Sequence, residues 1–178
     1  MHTTNFKLKV PQENRKIAVK ITVPNADLSQ LQWILMLHGL YSHMDTPGQV
    51  QTAHTYHTEG FPTVQFNFHG HGEGKNKSDG QIQEASLSSG IKDLKTAYDY
   101  AIQDLKIPES NLVIGANSYG ALASLLALEQ RLISPESMIL VAPFSLDKFR
   151  PWVPCCVCLK KYLVAFIFCH KSSKYPQP

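Results

Sequence analysis

Four apolar runs constrain the fold of this chain more than any other feature: "QWILML" before His38-Gly39, "PTVQFNF" before "HGHG", "NLVIGA" before Asn117-Ser118, and "SMILVAPF". Each is close to uninterrupted, as a strand is when apolar layers cover both of its faces. Two helical patterns separate them. "LSSGIKDLKTAYDYAIQDL" places Ile91, Leu94, Ala97, Tyr98, Ala101, Ile102 and Leu105 at helical spacing, and "SYGALASLLALEQRL" reads as a second helix. Ahead of them all, "NFKLKV" and "KIAVKITV" alternate apolar and polar residues across the turn-like "PQEN", the pattern of an antiparallel hairpin. Buried strands alternating with helices imply an α/β fold with a mainly parallel sheet, opened by an N-terminal antiparallel hairpin. Ligand sites in such sheets lie at the carboxyl ends of the strands. Here those ends are "LHGL", "FHGHGEG", "ANSYG" and "APFSLD", each carrying Gly, His or Ser where chemistry would be expected.

Charge divides the chain in two. The formal net charge is +3, yet all 14 acidic residues lie at or before Asp147. Lys148, Arg150, Lys160, Lys161, Lys171 and Lys174 follow with no acid among them, and all four cysteines (Cys155, Cys156, Cys158 and Cys169) fall in the same stretch. The expected organisation is therefore a core over residues 1–147 and an atypical basic, Cys-containing tail over 148–178. The core has no basic stripe interleaved with aromatics, which argues against a nucleic-acid partner. No apolar span is long enough to cross a bilayer, and "MHTTNFKLKV" lacks the basic-then-apolar order of a secretory signal, so a cytoplasmic protein is the expectation. The cysteines form C-C-x-C without a second ligand pair at zinc-like spacing, and no metal site is expected. "GHGEG" lacks the Lys-Ser/Thr ending of a phosphate-binding P-loop.

The Asn117-Ser118 pair sits where a buried strand must turn into a helix. It has two readings. Asn and Ser are good helix N-terminal residues, so the pair is compatible with a plain helix start. A serine on a sharp strand-to-helix turn also presents its hydroxyl as a nucleophile. That tight turn needs small residues two before and two after the serine, and Ala116 and Gly120 stand there.

Four stretches, "MLHGL", "FNFHGHGEG", "IGANSYGALAS" and "MILVAPF", occur in the order seen in α/β-hydrolases. Over roughly residues 5–147 the chain resembles that superfamily, and within it the serine esterase, monoacylglycerol-lipase and feruloyl-esterase-like group. The resemblance implies Ser118 as nucleophile and an oxyanion hole made by the backbone N–H groups of Tyr119 and Leu40. It implies hydrolysis of a small-molecule carboxylic ester or related acyl bond, with no cofactor. Ala116 replaces the first glycine of the usual G-x-S-x-G, and His69 replaces an arginine common in relatives.

The family's triad runs Ser, then Asp or Glu, then His. Its acid and base normally follow two further strands, and the tail after Phe149 matches neither, so the chain reads as a C-terminally truncated member. His170 is the one histidine after Ser118 and follows the apolar "YLVAFIF"; Asp147 follows the fourth apolar run, where some relatives place the acid. They are the candidate base and acid. His38, His43, His69 and His71 are read as structural or solvent-facing rather than as substitute bases. Two other outcomes stay open: a catalytically inactive binding module of the same fold, and a nonfunctional truncated product.

Overall fold

A computed structural model of the chain describes residues 1–24 and 32–141. Six strands form one sheet in the order β1-β2-β4-β3-β5-β6. The hairpin expected at the start is β1 (His2–Lys9) against β2 (Lys16–Val23), antiparallel. Strand β2 continues antiparallel onto β4 (Thr63–Phe66). From there β3 (Trp33–Leu37) runs parallel to β4 on one side and to β5 (Leu112–Asn117) on the other, and β6 (Ser137–Val141) runs parallel to β5.

Alternate residues of the central strands feed two apolar layers, which explains why their sequences show no polar alternation. Leu35, Leu37, Ile114 and Ala116 face a large core with Phe66, Phe68, Leu94 and Tyr119. Ile34, Met36 and Val113 face a smaller one with Ala53. Helices α2 (Leu87–Gln103) and α3 (Ser118–Glu129) cover the first layer. Helix α2 starts where its sequence says it should: Ser86 and Ser89 cap each other reciprocally, the Ser89 N–H donating to Ser86 Oγ at 3.1 Å and the Ser86 N–H to Ser89 Oγ at 2.9 Å.

The second layer is covered by α1 (Pro47–Thr58), a helix the apolar pattern does not announce. Its sequence "PGQVQTAHTYHT" buries only Gln49 and Ala53, so no apolar stripe marks it. The proline in its first turn is its one local signal. Helix α1 joins β3 to β4 and α2 joins β4 to β5, on opposite faces. The chain thus leaves β3 in one direction and returns on its other side, making the carboxyl ends of β3 and β5 the topological switch point, where open α/β sheets bind their ligands.

Buried charge ties the hairpin to the layer beneath it. Asp93 on α2 is fully buried, ion-paired with Arg15 from the β1–β2 turn, and accepts the His69 backbone N–H at 2.7 Å. Burial pushes the Asp93 carboxyl up, against the pull of Arg15 and the His69 amide. Replacing Asp93 with Ala leaves the Arg15 guanidinium with Glu13 as its remaining carboxylate and takes the acceptor from the His69 N–H. We expect a loss of about 3–5 kcal/mol, read from the urea unfolding midpoint.

Candidate functional site

The site assembles at the switch point from three strand ends. Strand β5 ends at Asn117 and α3 begins at the next residue, with no loop between. A reversal that abrupt forces Ser118 into the left-handed region, at φ +48°, a conformation a non-glycine side chain holds only where its surroundings impose it. The surroundings here are close packing. A Cβ at Gly120 would lie 2.7 Å from Leu37 Cβ and 2.8 Å from the His38 carbonyl oxygen, so α3 sits directly on the end of β3 and only glycine fits. Ala116, two residues before the serine, is buried in the core layer.

Gly39 closes the other side. A Cβ there would lie 3.2 Å from Ser118 Cβ and 3.7 Å from its Oγ, which puts the loop after β3 against the serine. Leu40 follows, exposed and outside any helix or strand, and its N–H donates to no group among the described residues. Tyr119 lies in the first turn of α3, where backbone N–H groups lack intrahelical acceptors. Its side chain is anchored in the opposite direction: the hydroxyl donates to the Ser86 carbonyl at 2.6 Å and the ring packs edge-on against Phe68. Burial pushes its hydroxyl up to about 12, so it stays a neutral donor. Gly90 on α2 makes room for that ring, since a Cβ there would sit 2.3 Å from the tyrosine oxygen. A serine hydroxyl between a free loop amide and a helix N-terminus is a place suited to developing negative charge.

His38 holds this loop in place. The Phe68 N–H donates to its Nε2 at 3.1 Å, so the proton is on Nδ1, which donates to the Gly39 carbonyl at 2.8 Å. Both ring nitrogens are engaged and burial lowers its pKa to about 3, so this imidazole is a structural tie between the ends of β3 and β4. His71, also buried, donates from Nδ1 to the His69 carbonyl at 2.7 Å, and burial keeps it neutral as well. His69 lies beside Glu84, Nε2 to Oε2 at 3.3 Å, and His43 lies near Glu73 at 3.8 Å. Asn67, just past β4, accepts the Met44 N–H on its Oδ1 at 2.7 Å and donates to the Asn76 carbonyl at 2.6 Å, binding two loops to one strand end.

The structure therefore brings Ser118, Tyr119 and the Gly39-Leu40 loop together. Asp147 and His170 lie outside the described residues. Ser118 Oγ makes no hydrogen bond to a described residue. The tying role of His38 and the Asn67 anchor are not apparent in the apolar pattern; their one signal is a polar residue placed directly after a buried strand.

The serine aminopeptidase, S33 family model matches residues 29–168, most of the chain. The chain belongs to that family. Its sheet, with the antiparallel start and the parallel centre, is the α/β-hydrolase fold. Solved structures agree. Est1E from Butyrivibrio proteoclasticus with ferulic acid bound is 20% identical, with a TM-score of 0.64 over 76% of this chain and 51% of that one. A protein from Agrobacterium vitis S4 is 18% identical, with a TM-score of 0.64 over 87% of this chain and 59% of its own. An α/β serine hydrolase without a lid from Xanthomonas campestris is 19% identical, with a TM-score of 0.61 over 79% of this chain and 62% of its own. The chain thus spans between half and two thirds of the length of these family-fold structures. No curated protein matches it in sequence. Among the described residues no helix is long and apolar enough to cross a membrane.

The His38 tie carries a pH signature. Its folded pKa is depressed to about 3 from 6.5, so between those values the unfolded chain binds a proton that the folded chain refuses. Stability is then lost as pH falls through that window, by up to about 1.4 kcal/mol per unit from this residue. The expected outcome is a shallower fall of the urea midpoint between about pH 7 and about pH 5 in His38→Gln than in the parent chain.

Proposed function

We propose that the chain is a serine hydrolase of carboxylic esters or related acyl bonds, with Ser118 as nucleophile. The observation that carries this is the strained φ of Ser118 at a loopless strand-to-helix turn, held there by the contact of Gly120 with the end of β3. Strain of that kind is costly for a mere helix start and is typical of a nucleophile elbow. In this reading the Tyr119 and Leu40 amides take up the charge of the tetrahedral intermediate. His170 is the base that receives the Ser118 proton and returns it to the leaving group, Asp147 orients His170, and water then releases the acid. Family membership and the carboxylic acid held by Est1E in a similar fold support an acyl substrate. No cofactor enters this chemistry. Residues 1–147 form the hydrolase core and 148–178 the segment that supplies the base.

A second reading, a binding module of the same fold without catalysis, is favoured by one observation: no described histidine hydrogen-bonds to Ser118 Oγ. A fluorophosphonate probe separates the two, because it labels only an activated serine. The expected result is labelling of the full chain, abolished in Ser118→Ala, with turnover of a 4-nitrophenyl ester reduced at least roughly a hundredfold in His170→Ala. Folded protein that takes no label, and binds small ligands equally well with and without the Ser118 hydroxyl, establishes the second reading instead.

A further inference from the structure

A sheet face covered by a helix is ordinarily apolar, because burying that face is what the helix contributes. The hairpin face turned toward α1 is not. Val19 and Ile21 of β2 enter the large core, so the alternate residues Lys20 and Thr22 face the other way. Gln65 stands opposite Lys20 across the β2–β4 pair, and Thr3 opposite Thr22 across the β1–β2 pair. Thr22 and Gln65 are buried all the same. Helix α1 does not close down on this surface, and an open groove of about 240 Å³ remains between the two. The helix lines it with Val50, Ala53, His54 and His57, residues at i, i+3, i+4 and i+7 that share one side of a helix.

Three properties of this lining select an occupant. Every titratable side chain in it (Lys20, His54 and His57) is basic, and no acidic side chain lines it among the described residues. The carboxylate paired with Lys20 belongs to Asp45, which lies outside the lining and is also held by Asn76 Nδ2 at 2.9 Å. An ammonium has three donors, so that pair leaves Lys20 with two to offer. His57 is pulled below its ordinary pKa by burial and then by the nearby His54 and Lys20, so the three basic groups share one small region. At the floor, Gln65 Nε2 reaches the Met44 carbonyl only at 3.5 Å, too long for a firm bond, which leaves an amide donor available. The remaining wall is hydrocarbon, from Met44, Val50 and Ala53. The volume falls short of the roughly 300–1,000 Å³ of sites for drug-sized ligands, so the occupant is small.

We propose that this groove is a binding site for a small organic carboxylate, with its charged end at Lys20, His54 and His57 and its hydrocarbon body against Met44, Val50 and Ala53. Ser118 and the Gly39-Leu40 loop do not line the groove, so the site goes beyond the hydrolase reading and stands or falls without it.

The test is a titration of the full chain by heteronuclear NMR with butanoate, with its neutral isostere butanamide, and with inorganic phosphate. Butanoate is expected to saturate with a Kd on the order of 1 mM, and butanamide to bind at least roughly tenfold more weakly. The shifts are expected to centre on the amides of Ala53, His54 and Gln65. Lys20→Met, which keeps the stem and removes the ammonium, is expected to abolish the preference for the acid. Because that change also breaks the pair with Asp45, His54→Gln at an exposed position is the second variant, expected to weaken butanoate severalfold without touching the fold. Equal affinity for acid and amide, or phosphate binding as tightly as butanoate, overturns the inference. So does butanoate affinity unchanged in the folded variants, or shifts centred on Leu40 and Tyr119. The hydrolase reading fails by a different route, through the absence of fluorophosphonate labelling.

Discussion

The contact on which the rest of the site depends is the seating of the first turn of α3 against the carboxyl end of β3. Nothing larger than a hydrogen fits at position 120, because Leu37 Cβ and the His38 carbonyl already occupy the space. That closeness removes any loop between β5 and α3, and the missing loop is what drives Ser118 to positive φ. The hydroxyl is presented because the packing leaves the backbone no relaxed alternative. The strain is balanced by the apolar layers on either side of β3 and β5, whose residues are almost all excluded from water.

Around that contact, polar groups do the fixing that apolar packing cannot, since dispersion has little directional preference. His38 joins the ends of β3 and β4 through both ring nitrogens. Asn67 holds the loops at 44 and 76, and Ser78 donates to the Asn67 carbonyl at 2.5 Å while accepting the Ala18 N–H at 2.9 Å. Asp93 reaches the same region from α2 through the His69 amide. Each is a buried polar residue with specific partners, so each sets an orientation as well as an energy.

Much of this fold can be read before any coordinates. The uninterrupted runs at 33–37 and 112–117 are central strands for the reason the pattern suggests, and the alternating start is the hairpin. Ser118, flanked by Ala116 and Gly120, stands out because the steric demand of the turn is local. Helix α1 is illegible because it rests on the sheet through Gln49 and Ala53, with too few apolar residues for a helical period to show. The role of His38 is illegible for a different reason: its partners, Gly39 and Phe68, come together only when β3 and β4 lie side by side. Asn117 reads as an ordinary N-cap, and only its orphaned oxygen in three dimensions distinguishes it.

The strand order has a kinetic consequence. Strand β3 gains its neighbour β4 after a short stretch of chain, but its other edge waits for β5, with Trp33 pairing to Leu112. Closing so long a loop is slow, and on the ribosome β5 emerges only after α1, β4 and α2. Until then the most apolar strand of the sheet keeps an open edge, the kind that pairs with other chains. The turn at Ser118 is thus among the last parts of the described sheet to be placed, and the interval before it closes is when this chain is most exposed to aggregation.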